Sequence, residues 1–255
     1  MPPTPATALP PPSCDIRVVI VPLDVAAGEL AGLEGTLADD ERARAGRLAA
    51  PVRRRFVAGR GQLRRLLGRI VDDDPAALRF ACSPRGKPAL GGRHAGRCHF
   101  NVSHSRDTCL VAFSQRVALG IDLECPTPDR TPAWADTMSG AVLAPSEFAA
   151  YSLLPAAARA AGVLEAWVAK EALLKATAEG VAGGVRHVVL PTPLPRAALT
   201  LDGDPRTVVP AVVDVGSPDA WAVCLLDGVP GAAAIACPAG SCRVALVSHE
   251  RFDTL

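Results

Sequence analysis

Apolar residues recur at three- and four-residue spacing over residues 53–71, where Phe56, Val57, Leu63, Leu66, Leu67 and Ile70 mark one face of a helix. Its other faces carry Arg53, Arg54, Arg55, Arg60, Arg64, Arg65 and Arg69. Residues 17–23 are a short apolar run of strand type, and residues 38–47 read as a charged helix. Residues 78–82 predict a short strand, Ser83 to Pro88 a turn, and residues 91–96 a loop. A strand end at residues 99–102 leads into Ser103-His104-Ser105. Residues 108–114 and 117–124 follow as strands, and the short Gln115-Arg116 link predicts a hairpin between them. A proline-rich break covers residues 126–132. Helices are predicted at 146–154 and 156–179, parted by Pro155 and closed by the stretch 180–184. Beyond it, residues 185–227 alternate β-type runs (HVVL, TVVPAVV, WAVCLL) with turns, and residues 233–255 add one or two weak strands. This order predicts an α+β protein with two comparable halves meeting near residues 115–130.

Composition narrows the class. A chain of 255 residues is one large domain or two small lobes. Its 27 basic and 26 acidic residues nearly cancel, which excludes a general basic surface for nucleic acid. No charge-free apolar stretch reaches the roughly 18 residues of a membrane span. Residues 1–14 are expected to be a disordered proline-rich tail. The eight cysteines form no Cys-x-x-Cys pair and read as small buried hydrophobes in a reducing compartment, with the cytoplasm as the expected location. Only three lysines, Lys87, Lys170 and Lys175, stand against twenty-four arginines. Coding bias accounts for the scarcity, so the surviving three need a reason.

Four segments could carry chemistry. In Gly120-Ile121-Asp122-Leu123-Glu124 a strand puts both carboxylates on one side, about 6–7 Å apart. That spacing suits one hard cation, and it equally suits a solvated strand face. On the following helix Leu164, Trp167, Val168 and Glu171 share a stripe, with Lys175 a turn further on. Glu171 and Lys175 could be a surface pair, but a carboxylate on an apolar stripe needs a partner. Asp122, Glu124 and Glu171 together would form a three-carboxylate Mg²⁺ site. Phe100-Asn101-Val102-Ser103-His104-Ser105 offers hydroxyls and a ring N–H to a phosphate, or is a hydrogen-bonded loop. A Ser/His nucleophile is disfavoured, because neighbours in a strand point to opposite faces and no nucleophile elbow is present. Gly86-Lys87-Pro88 holds a lysine in a rigid turn but does not match a P-loop.

The order of these four motifs, ending in Trp167-x-x-Lys170-Glu171-Ala172-x-x-Lys175, resembles the 4′-phosphopantetheinyl transferase superfamily, in its long, Sfp-type branch. The helix from Phe56 to Gly68 also looks like that family's first-lobe arginine-bearing helix. The resemblance implies two similar α/β lobes, placed at residues 15–116 and 117–255, with the active site in the cleft between them. It implies transfer of 4′-phosphopantetheine from coenzyme A to a serine of an apo acyl or peptidyl carrier protein, with release of adenosine 3′,5′-bisphosphate. It assigns Mg²⁺, or Mn²⁺ in its place, to Asp122, Glu124 and Glu171, and names Glu171, Lys175 and Asp122 as catalytic. Either Glu171 or a metal-bound water would take the serine proton. Lys87, Ser103, His104, Lys170 and Lys175 would contact coenzyme A, with Arg60 and Arg64 as further anion contacts. A monomer serving fatty-acid, polyketide or nonribosomal-peptide carriers is expected. The competing readings are another metal-dependent coenzyme A or nucleotide phosphohydrolase, and a non-catalytic coenzyme A or carrier-binding protein.

Overall fold

Side-chain alternation along the strands sets the layers of this protein. A computed structural model describes residues 15–178, 184–215, 219–240 and 242–252. The expected tail at 1–14 and most of the 180–184 helix closure lie outside the described residues. The strands are β1 (Asp15–Pro22), β2 (Phe80–Cys82), β3 (Pro88–Leu90), β4 (His99–Ser105), β5 (Thr108–Ser114) and β6 (Gly120–Glu124), then β7 (Arg196–Ala198), β8 (Arg206–Val208), β9 (Ala211–Val213), β10 (Trp221–Asp227), β11 (Ala232–Pro238) and β12 (Cys242–Ser248). The helices are α1 (Ala27–Gly35), α2 (Asp39–Gly46), α3 (Ala50–Val71), α4 (Pro132–Val142), α5 (Pro145–Ser152), α6 (Ala156–Thr177) and α7 (His249–Phe252). The α+β class predicted from the pattern is the class observed.

One sheet has the order β4-β5-β1-β12-β8, and a second has β6-β11-β10-β7 with β9 also on β10. In β1, Val19 and Val21 pack under α3, against Val57, Leu63, Leu66 and Leu67. The alternate positions Ile16 and Val18 turn the other way, to Leu119, Ile121 and Leu123 beside β11's Ile235. The two sheets therefore pack on each other through a shared apolar layer, and each keeps its helices on the outer face. On the outer face of the second sheet, α6 lays Val168, Ala169, Ala172 and Leu173 against Val223, Leu225, Ala234 and Ala236. β5, β10 and β11 are buried on two sides, which is why their sequences run almost continuously apolar.

A common unit is visible in the topology, although the sequence has no visible repeat. A strand, a 22-residue helix and an antiparallel strand pair occur as β1-α3-β4-β5 and again as β6-α6-β10-β11. In each, the first strand pairs antiparallel with the last. The chain's final strand β12 returns to lie parallel beside β1.

Several expectations are corrected. The predicted hairpin of 108–114 with 117–124 does not form. β5 pairs with β4 across Arg106-Asp107, with Arg106 at φ 57, while β6 belongs to the other sheet. Periodicity gives strands but not partners, and residues 115–119 cross between sheets instead of turning. The run TVVPAVV splits at Pro210, which has no N–H to give a ladder, so β8 joins one sheet and β9 the other. HVVL at 187–190 is irregular, although Val188 is fully buried. The tail strands β11 and β12 are full seven-residue members of the two sheets. Helices α1 and α4 were not predicted. α1 is small-residue-rich and buries only Leu33, which sits so close to Gly61 of α3 that a Cβ there would lie 2.7 Å from the Leu33 Cβ.

Candidate active site

The site begins with an edge strand. β6 ends its sheet, so its outward N–H groups need acceptors. They find them in side chains of β4, where alternate residues point one way. Asn101 Oδ1 accepts from the Ile121 N–H (2.9 Å), Ser103 Oγ from Leu123 N–H (3.2 Å) and Ser105 Oγ from Cys125 N–H (3.0 Å). Three polar side chains at i, i+2 and i+4 thus replace a neighbouring strand. The same serines donate to the carboxylates, Ser103 to Asp122 Oδ1 at 2.7 Å and Ser105 to Glu124 Oε2 at 3.3 Å.

Asp122 and Glu124 leave β6 on the side of α6, as the strand period requires. Asp122 is only 5% exposed, and its Oδ1 lies 2.6 Å from Lys175 Nζ. Strand and helix meet closely because residue 120 is glycine. A Cβ there would lie 2.1 Å from the Ala172 carbonyl oxygen and 2.5 Å from the Ala176 nitrogen. Glu124 Oε2 accepts from Arg130 at 3.2 Å, and Arg130 lies over the Trp134 ring. Glu171 is half-buried on α6. Burial pushes its carboxyl above the usual range, and the charges of Asp122 and Glu124 push the same way against the pull of Lys175.

Next to this centre, a cleft of about 640 Å³ is lined by Arg44, Arg55, Arg60, His104, Ser105 and Arg106, with Phe56 and Val102 among its apolar walls. Arg60 stacks on Phe80 and lies 3.4 Å from Glu41. Its buried Nη1 has no hydrogen-bond partner among the described residues, so the guanidinium keeps a donor to give.

The structure brings together most of the expected residues and separates others. Asp122, Glu124, Glu171, Lys175 and Ser103 form one group, and Arg60 and His104 line the adjoining cleft. Ser103 is corrected from a phosphate contact to a bracket. It is 5% exposed, and its hydroxyl is engaged by Leu123, Asp122 and Lys175. Lys170 is corrected too. It is fully buried, about 100° around α6 from Glu171, and its ammonium holds Glu147 Oε2 at 2.6 Å and the Val142 carbonyl at 2.8 Å. Arg64 faces the protein interior at 1% side-chain exposure, bonded to Glu41 and to the Pro75 and Leu78 carbonyls. Neither can reach a bound ligand from there. Lys87, expected at the nucleotide, donates to the Leu119 and Ala176 carbonyls. The roles of Asn101, Ser105, Arg106 and Arg130 were missed. The period-two pattern Asn101, Ser103, Ser105 was a readable signal for the first two; nothing in the sequence pairs Arg130 with Glu124.

The donor set fits a hard divalent cation in kind, since every atom offered is a carboxylate or hydroxyl oxygen. Among the described residues, no three His, Cys, Asp or Glu side chains close around one point. Lys175 and Arg130 already take an oxygen of Asp122 and of Glu124, so a cation here would need ligands from a substrate as well.

An α+β protein with a carboxylate–lysine centre beside an arginine-lined cleft has the equipment of an enzyme that transfers a phosphate-bearing group. Comparison with known proteins specifies it. The profile of the 4′-phosphopantetheinyl transferase superfamily matches residues 118–222. The chain is 38% identical over 174 residues to the 4′-phosphopantetheinyl transferase HetI of a Nostoc species, covering 67% of this chain and 71% of that protein. It is 29% identical over 182 residues to a phosphopantetheinyl transferase of a Thraustochytrium species, covering 68% of this chain and 60% of that one. The chain belongs to the 4′-phosphopantetheinyl transferase superfamily, and it is by class a 4′-phosphopantetheinyl transferase. Among the described residues, no helix is long and apolar enough to cross a membrane.

Proposed function

We propose that this protein binds coenzyme A between the carboxylate–lysine centre and the arginine-lined cleft. It then moves the 4′-phosphopantetheine to a serine of an apo acyl or peptidyl carrier protein and releases adenosine 3′,5′-bisphosphate. The observation that carries this reading is the Lys175–Asp122 ion pair where β6 meets α6, with Glu124 and Glu171 near enough for their charges to act on one another and with Ser105 joining Glu124 to the cleft. Asp122, Glu124 and Glu171 would hold Mg²⁺, or Mn²⁺ in its place. When bound, the ion supplies charge neutralisation for the pyrophosphate.

The chain's own residues do the rest. Lys175 is an ammonium near the end of a helix, held on Asp122 and Ser103, and it neutralises oxygen charge as the phosphoryl group transfers. Glu171 accepts the proton of the incoming serine, a task its raised carboxyl suits better than an ordinary, more acidic one. Ser103 and Ser105 hold Asp122 and Glu124 in place. Arg60 and His104, with Arg44, Arg55 and Arg106 around them, receive the 3′-phosphate end. The two topological units are the two lobes, with β8, β12 and α7 from the far end of the chain completing the first, so the division falls near residue 116 only for the chain up to β7, and the protein works as a cytoplasmic monomer.

Mass spectrometry of several purified apo carriers, incubated with coenzyme A and Mg²⁺, tests the reading. Gain of one phosphopantetheine on any carrier supports it. Release of adenosine bisphosphate without a carrier would favour a hydrolase, and binding without any product a non-catalytic protein.

A further inference from the structure

Lys87 sits in a turn closed on both sides by Ser83. The Ser83 N–H donates to the Lys87 carbonyl at 2.8 Å, and the Lys87 N–H donates to Ser83 Oγ at 3.0 Å. From this turn the ammonium reaches two carbonyls that are distant in sequence, Leu119 at 3.0 Å and Ala176 at 3.1 Å. Ala176 is in the last turn of α6, where the carbonyls run out of backbone N–H partners within the helix, and the helix dipole there favours a cation. Leu119 lies two residues before Ile121, the first position where a β4 side chain holds the edge of β6. Lys87 therefore adds one more rung to that polar ladder and ties it to the helix end. The tie falls where Gly120 lets strand and helix touch, and Ala176 is bonded directly to Lys175 in the chain.

Resting on the reading above, we infer that Lys87 is a positioning residue for the transfer and not a nucleotide contact: it clamps the last turn of α6 to the start of β6 and so holds Lys175 on Asp122. The surroundings agree. Lys87 is not among the residues that line the arginine-rich cleft, although its neighbour Pro88 is. Burial pushes its ammonium down to about 8, the behaviour of a lysine served by carbonyls and not by a carboxylate. A compact ammonium also fits between two backbone oxygens where a planar guanidinium fits less well, which gives the first of the three lysines a reason to remain.

The test compares Lys87→Met and Lys87→Gln with the wild-type protein. Calorimetry with adenosine 3′,5′-bisphosphate and steady-state carrier modification are measured on each. The clamp predicts binding of the bisphosphate and KM for coenzyme A within about twofold of wild type in both variants. It predicts kcat lowered at least tenfold in Lys87→Met and partly restored in Lys87→Gln, whose amide still donates one hydrogen bond without charge. Tenfold weaker bisphosphate binding in both variants with kcat unchanged would overturn it, since loss of a phosphate contact follows charge. Hydrogen exchange gives a reading that needs no substrate. Amides of residues 173–177 should exchange at least tenfold faster in Lys87→Met, and unchanged protection there overturns the clamp. If the wild-type protein modifies no carrier, the functional reading fails, while the exchange experiment still decides the clamp.

Discussion

Lys175 and Asp122 share a 2.6 Å ion pair across the strand–helix contact, and Ser103 donates to the same carboxylate oxygen. The pair places a cation beside a carboxylate already oriented by a neighbour, so it is poised to exchange partners when a phosphate arrives. Lys175→Ala should lower kcat by about 10²–10³-fold, the usual scale for removing one fixed electrostatic donor. Steady-state carrier modification checks this. A change of less than twofold would leave the pair a purely structural tie between β6 and α6.

Glu171 should trade stability for function. Its carboxyl is raised by burial and by Asp122 and Glu124, so the ionised form at neutral pH weakens the ligand-free fold. The sign follows from proton counts. Between the ordinary carboxylate pKa and the raised one, the folded state binds more protons than the unfolded state, so this group's contribution falls as pH rises through that window. Glu171→Gln should therefore raise Tm at pH 7 and flatten its decline from acid to neutral pH, while carrier modification drops by ~10²-fold or more. Thermal melts from pH 4.5 to 7.5 beside activity assays test both halves. A lower Tm at pH 7 would contradict the repulsion.

Lys170 carries a structural prediction. It is fully buried with Glu147, which also accepts from the Ala144 and Leu190 N–H groups. Lys170→Met leaves that carboxylate uncompensated in the interior and should cost about 3–5 kcal/mol in denaturant unfolding. Glu147→Gln added to it removes the stranded charge and should recover much of the loss. Equal stability of the single and double variants would show that the charge is not what matters.

Lys87 makes stability pH-dependent in the alkaline range. Its folded pKa is lowered to about 8 against the ordinary lysine value of 10.5. Between those values the unfolded state binds more protons, so this group's contribution to stability rises with pH. The difference in unfolding free energy between wild type and Lys87→Met should shift in favour of wild type from pH 8 to 10.5. The neutral amine keeps two N–H donors for its two carbonyls. A pH-independent difference would mean that the lysine is not buried as described.

Much of this protein is legible in its sequence. The 3.6-residue period over α3, the 22-residue α6 after Pro155 and the alternation of β6 are local properties, and local properties are what a sequence carries. The same alternation put Asp122 and Glu124 on one face, and the helical stripe put Glu171 and Lys175 on the side that meets them. Strand pairing was not readable. β5 and β6 look like a hairpin in sequence, yet they belong to different sheets, because the choice depends on which edges are free once the helices have packed.

The three lysines show the same boundary. Their rarity and their places in motifs marked them as special from the sequence alone. Which task each performs was decided by tertiary structure. Lys175 meets a carboxylate in the site, Lys170 turns into the core around the same helix, and Lys87 reaches two carbonyls 32 and 89 residues away. An ammonium's role is set by the oxygens within about 3 Å of it, and those come from segments that only the fold brings together.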